Sequence, residues 1–209
     1  MPTMKLQDNK IYLASKSPRR RELLRQVGVS FEILLLRDAG TRQPDVSEAV
    51  LPGEKPADYV RRVTGNKAQS AWSMMLMRKL PVRPVLAADT TVVIDDTIYG
   101  KPATRAEAHA MLSALSGRTH QVMTSVAVHF HEQHFERTQI SEVTFTQLTA
   151  AAINHYCDTQ EPYDKAGGYG IQGSAAQFIS HITGSYSGIM GLPLFETAQL
   201  LAETGIILS

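Results

Sequence analysis

Apolar and polar residues follow two rhythms along this chain, and the places where the rhythm changes mark its elements. Ile11-Tyr12-Leu13-Ala14 is a short unbroken apolar run and reads as a buried strand. The segment from Pro18 to about Val27 has helical spacing and stops at Gly28, a common residue just past a helix end. Residues 29–36 read as a second strand, and residues 37–55, polar and holding Pro44 and Pro52, read as a loop. A long helix is expected from about Pro56 to Arg78, with Val60, Val63, Ala71 and Met75 on its core stripe.

The second half continues the mixture. Residues 84–94 form an apolar run that Asp95-Asp96 turns into a short return strand carrying Lys101. Thr104 and Glu107 make a capping box for a helix that Gly117 closes. Residues 119–130 alternate, with Val122, Thr124, Val126, Val128 and Phe130 on one face, and residues 135–146 suit a hairpin partner. Thr149 caps a short helix through Cys157, and a glycine-rich loop at 162–173 leads into a strand at 175–182. The last helix starts near Pro193 and ends before Gly205. Strands and helices interleave without a clean break, so a single α/β domain over residues 1–209 is expected.

Composition narrows the functional classes. With 43% hydrophobic and 20% charged residues the chain has ordinary globular character, and its formal net charge of +1 gives no global field toward nucleic acid or a membrane. Any anion chemistry must come from a local cluster. A lone cysteine cannot form an internal disulfide and suits a reducing compartment. No apolar run approaches the ~18 residues of a membrane span, and the first ten residues carry no signal-peptide core. A soluble cytoplasmic protein with neither nucleic-acid nor membrane partner is therefore expected.

Four features carry candidate chemistry. Ser15-Lys16-Ser17-Pro18-Arg19-Arg20-Arg21 joins the first strand to the first helix, with Ser17 as N-cap. Arginines in a first turn oppose the helix dipole unless an anion binds there, so the loop is either a phosphate site or a solvated basic face. Asp89 interrupts the apolar strand 84–94; it is a candidate metal ligand or general base, or else simply hydrogen-bonded to its neighbours. Lys67 falls on the apolar stripe of the long helix, where it either snorkels or reaches a phosphate, and Lys101 is the second such lysine. In the glycine-rich loop the spacing Gly168, Gly170, Gly173 lacks the strand–turn–helix context of a dinucleotide site. There Gln172 either meets a base, its amide matching the O4 and N3–H of uracil or thymine, or faces solvent. The seven histidines show no H-E-x-x-H spacing and do not argue for zinc.

These segments resemble the Maf family of nucleoside triphosphate pyrophosphatases over nearly the whole chain. The likeness rests on Leu13-Ala14-Ser15-x-Ser17-Pro18-Arg19-Arg20, Lys67-Ala68, Ala88-Asp89-Thr90, Lys101-Pro102, and Ser116-Gly117-x-x-His120-x-Val122-x-Thr124. It continues through Glu161-Pro162-x-Asp164-Lys165-Ala166-Gly167-x-Tyr169-x-Ile171-Gln172-Gly173, Gly184-Ser185-Tyr186 and Gly191-Leu192-Pro193. The resemblance implies an elongated mixed sheet with flanking helices, two lobes around a cleft, similar to the inosine triphosphate pyrophosphatase fold. It implies Asp89 as proton acceptor and Ser15, Arg19, Arg20, Lys67, Lys101 and Lys165 as triphosphate-binding residues. Arg19, Thr90 and Gln172 stand at the positions that separate subgroups, and the form of residues 165–173 is like that of the dTTP/UTP subgroup. A divalent cation (Mg²⁺ or Mn²⁺) on Asp89 and Asp38, and a homodimer, are also implied. Two departures stand out: only Asp38 represents the acidic pair usual after the second strand, and Gly188-Ile189-Met190 replaces the usual Asn-Val-Val. Alternative readings are a 7-methyl-GTP pyrophosphatase or a nucleotide-binding regulator of cell division.

Overall fold

The computed structural model describes residues 8–37 and 45–207. Among them one mixed sheet runs through the protein in the order β2-β1-β3-β5-β6-β7, with β4 attached to β3. Strand β1 (Lys10–Leu13) lies parallel to both β2 (Ser30–Ile33) and β3 (Val85–Ile94). β4 (Thr97–Tyr99), β5 (Thr119–Phe130), β6 (Gln133–Phe145) and β7 (Ile179–Thr183) add antiparallel pairings. No helix among the described residues is long and apolar enough to cross a membrane.

Local chemistry accounts for most boundaries. Helix α1 (Pro18–Gln26) starts where the Arg20 amide donates to Ser17 Oγ at 3.4 Å, and stops at Gly28, whose φ of 70° suits glycine. Asp95 and Asp96 take φ values of 50° and 57° in the two-residue turn between β3 and β4. Helix α3 (Arg105–Leu115) opens with the Glu107 amide donating to Thr104 Oγ1 at 3.2 Å. The Glu107 carboxylate in turn accepts from the Ala103 amide, one residue earlier than in the usual capping box. Thr149 caps α4 (Ala150–Cys157) in the same manner.

The helices sort onto the two sheet faces. Helix α2 (Pro56–Met77) covers one, packing Ala68, Ala71, Trp72 and Met75 against Tyr12, Val85, Ala87 and Ala127. On the other face, α1 and α6 (Leu194–Glu203) cover Leu13, Leu86 and Val128, while α3 and α4 cover Val92, Val122 and Phe145. The expected one-sided alternation of residues 119–130 therefore gives way to a strand buried from Val122 to Phe130 on both faces.

Two further expectations are corrected. The strand at 175–182 begins only at Ile179, because Ser174–Phe178 is a 3₁₀ turn. Its first amides donate to the Glu161 carboxylate, Ser174 N at 3.0 Å, and that side-chain acceptor replaces a ladder partner. The strand at 29–36 is cut to four residues, because β1 ends at Leu13 and leaves it little to pair with. A short helix, α5 (Tyr186–Ile189), was not expected. Truncating Leu112, fully buried between α3 and the sheet, to alanine should destabilise the protein by about 2–5 kcal/mol in urea unfolding.

Candidate functional site

The site begins with a gap in strand pairing. β1 pairs with β3 only as far as Leu13 with Leu86, and β4 joins β3 only from Val92 onward. Between those points the β3 edge from Ala87 to Thr91 has no strand partner on that side among the described residues. Crevices of this kind, beyond the carboxyl end of a parallel strand, are where α/β sheets commonly hold ligands. A cavity of about 910 Å³ opens here, bordered by the loop after β1, by Val46 and Glu48 and by the glycine-rich loop.

Side-chain alternation then divides the chemistry between two faces. Asp89 projects toward α2, where the Lys67 ammonium donates to its Oδ1 at 2.6 Å and also lies 2.7 Å from Glu48 Oε1. Burial alone would pull the Lys67 ammonium down, but the two carboxylates outweigh it and hold the group above the ordinary lysine range. Tyr59 of α2 packs nearby and donates to the Glu48 carbonyl at 3.2 Å. Burial, assisted by Asp89 and Glu48, pushes its phenol up to about 12.

Thr90 projects the other way, toward α1. Arg20 donates through Nη2 to Thr90 Oγ1 and through Nη1 to Ser15 Oγ, each at 3.2 Å, and through Nε to the Gly191 carbonyl at 2.6 Å. Burial draws its guanidinium below the ordinary arginine value, with Asp89 opposing the shift. Of its five donors, one on each terminal nitrogen remains unused among the described residues. Ser15 Oγ also accepts from the Ser17 amide at 3.2 Å, so it braces the loop from within.

The glycine-rich loop forms the opposite wall. Its fixed point is the Glu161 carboxylate, which accepts from Tyr156 Oη at 2.9 Å and from Ser174 Oγ at 2.7 Å. Burial would raise this carboxyl, yet the hydrogen bonds, led by Ser174, hold it below the usual range. A Cβ on Gly173 would come within 2.0 Å of Glu161 Oε1, a carboxylate held by its own hydrogen bonds, so glycine is favoured there. Beneath the loop, buried His120 is hydrogen-bonded through Nε2 to Tyr169 Oη at 2.6 Å, and burial drives its imidazole down to about 4.

The comparison with known sequences matches residues 10–204 to the family described as Maf-like protein. The chain belongs to the Maf family. Curated relatives include a dTTP/UTP pyrophosphatase of Nitrosomonas europaea, 54% identical over 198 residues, spanning 95% of this chain and 96% of that protein. Another dTTP/UTP pyrophosphatase, of Bordetella avium, is 53% identical over 199 residues, 95% of this chain and 97% of that one. Among solved structures, the Staphylococcus aureus Ham1 protein aligns with a TM-score of 0.44 and 12% identity, over 65% of this chain and 71% of that one, too distantly to bear on any residue.

The cavity of this Maf chain is lined by Ser15, Arg19, Arg20, Lys67, Asp89, Thr90, Lys101, Lys165 and Gln172, all singled out in the sequence. Their settings differ. Arg19 faces the glycine-rich loop, 3.6 Å from Asp164, while Lys101 and Gln172 are exposed at the rim. Lys165 is turned back into its own loop, donating to the Glu161 carbonyl at 2.7 Å and to Asp164 at 2.5 Å. Asp38 lies outside the described residues. The acid that does border Lys67 is Glu48, which sequence reasoning passed over inside an aperiodic loop; its signal was an acid three residues before Leu51-Pro52-Gly53. In the sequence Glu161 is marked only as part of the family-like motif, and its part in anchoring the loop has no local signal.

Replacing Lys67 with methionine leaves Asp89 and Glu48 facing each other in a partly buried site. A stability loss on the order of 3 kcal/mol is expected, with partial recovery on adding Asp89→Asn. For His120 the depressed folded value means the unfolded chain binds a proton that the native one refuses. Its contribution to stability is therefore complete above about 6.5 and is lost as pH falls toward about 4. His120→Gln should flatten the stability–pH curve across that window, as read by urea unfolding at stepped pH.

Proposed function

We propose that this Maf protein hydrolyses dTTP and UTP to the corresponding monophosphate and pyrophosphate. The observation that carries the reading is the pairing, in one cavity, of Asp89 on one face of β3 with Arg20 on the other. Relatives at 54% and 53% identity named dTTP/UTP pyrophosphatase supply the substrate class.

In the mechanism proposed, water attacks the α-phosphorus, the bond from that phosphorus to the oxygen bridging the β-phosphate breaks, and pyrophosphate departs. Asp89 takes the water's proton. Lys67 holds its Oδ1, leaving Oδ2 without a hydrogen bond among the described residues and free to accept. Arg19, Arg20 and Lys101 bind the triphosphate and take up the charge that grows on the leaving group. Lys165 reaches a phosphate only by releasing Asp164. At the rim, Gln172 reads the O4 and N3–H edge of the pyrimidine.

The donor set suits a divalent cation such as Mg²⁺ or Mn²⁺. Mg²⁺ is usually held by one or two carboxylates plus phosphate oxygens, and Asp89 with Glu48 fits that description. No group of three or more His, Cys, Asp or Glu among the described residues could hold a metal without such help. When bound, the ion would neutralise phosphate oxygen charge. The same reading places the enzyme in the cytoplasm, acting on free nucleotide; a homodimer is retained from the family.

Pyrophosphate release from UTP, dTTP, CTP, GTP and 7-methyl-GTP tests this with Mg²⁺ or Mn²⁺ present. UTP and dTTP should lead, and Asp89→Asn should lower kcat by at least about 100-fold. Gln172→Ala should erode the preference for UTP over CTP more than it lowers the rate on UTP. An Asp89→Asn enzyme with wild-type turnover would overturn the mechanism.

A further inference from the structure

Arg20 belongs to a closed circuit of hydrogen bonds, and the most remote member of that circuit has no role so far. Thr124 on β5 sits directly opposite Thr90 on β3 and is fully buried. Its hydroxyl donates to the Gly188 carbonyl at 2.8 Å. A hydroxyl has one proton to give, so in the 2.9 Å contact between the two threonines Thr90 must be the donor. Thr90 Oγ1 is then left to accept from Arg20 Nη2. Arg20 Nε donates to the Gly191 carbonyl, and the Gly191 amide donates at 2.9 Å to the Gly188 carbonyl, which closes the ring. Every donor direction is thereby fixed.

The ring also depends on its backbone. Gly191 has φ of 112°, which L side chains rarely adopt, and this turn points its carbonyl at Arg20 while its amide points at Gly188. Gly188 is set by Ser185, whose Oγ accepts from the Gly188 amide at 3.0 Å. The departure at Gly188-Ile189-Met190 thus falls on a segment whose main-chain atoms, rather than side chains, make these contacts.

We propose that Thr124 is a positioning residue for the phosphate site: through Thr90 it sets the guanidinium plane of Arg20, so that the one unused N–H on each terminal nitrogen faces the cavity. Thr124 touches no substrate and acts only along the relay. The proposal rests on the pyrophosphatase reading for its kinetic consequence but not for its geometry. If the relay merely satisfied buried hydroxyls, its loss would lower stability and leave Arg20 in place through Ser15 and Gly191.

Four variants separate these cases: Thr124→Val, Thr124→Ser, Thr90→Val and the Thr90→Val/Thr124→Val double. Thr124→Val preserves shape and removes the hydroxyl; it should lower kcat/KM for UTP about tenfold, mostly in kcat, since small misplacements of a positioned group act on the transition state. Thr124→Ser keeps the hydroxyl and should recover most of that loss. Because both threonines act through one guanidinium, the double variant should be little worse than Thr90→Val alone. Wild-type kcat/KM in Thr124→Val, or losses that multiply in the double variant, would overturn the proposal. Calorimetric binding of inorganic triphosphate supplies a readout independent of turnover. If the wild type releases no pyrophosphate, the activity reading fails, and the relay stands or falls on whether Thr124→Val binds triphosphate about tenfold more weakly.

Discussion

The Lys67 ammonium between Asp89 and Glu48 is the interaction around which this structure is arranged. A lysine on the apolar stripe of a long helix and an aspartate in the middle of a buried strand are each unfavourable alone. Facing each other they are tolerated, and their 2.6 Å contact brings α2 and β3 together at the one height where both charges are matched. Glu48 adds a second carboxylate to the same ammonium and so ties the loop before α2 to the cavity. Two charges retained in a place where hydrophobic residues would pack more easily are what one expects where chemistry rather than stability sets the residue.

The second organising fact is that Asp89 and Thr90 are consecutive. Strand alternation sends one toward α2 and the other toward α1, so a single strand serves two unlike surroundings. On the α2 side, one ammonium is paired with two carboxylates. On the α1 side, Arg20 is held by two hydroxyls and a main-chain carbonyl, none of which neutralises it. A cation fixed by neutral acceptors keeps more of its attraction for an anion than one already paired with carboxylates. That contrast separates the two basic residues more sharply than their sequence context does.

Much of this was legible in the sequence, for local reasons. Thr104 with Glu107, Ser17 before Pro18, Asp95-Asp96 and Gly28 each report a backbone event through chemistry within four residues. Asp89 and Lys67 were visible because each breaks an apolar pattern. The roles that stayed hidden depend on contacts far apart in the chain. Glu48 sits in a loop without periodicity, Glu161 gains its meaning from Ser174 thirteen residues on, and Thr124 finds Gly188 sixty-four residues away. The direction of Lys165 was equally hidden, since a lysine beside an aspartate in a glycine-rich loop can turn outward or back. Alternation over residues 119–130 signals one buried face, while burial of the other comes from α2, far earlier in the sequence.

The unpartnered stretch of β3 has a consequence beyond ligand access. Five residues of main chain with no strand neighbour on one side, among the described residues, resemble the open edge that outer strands carry, a template for stray extended peptides. Here the chain leaving β1, with its arginines, and the glycine-rich loop border that stretch. The groups proposed to bind phosphate would therefore also keep foreign strands out, since a crowded, strongly cationic approach disfavours sheet extension. On the proposed function, changes that loosen this loop would weaken nucleotide binding and colloidal behaviour together, two unrelated demands on the same few positions.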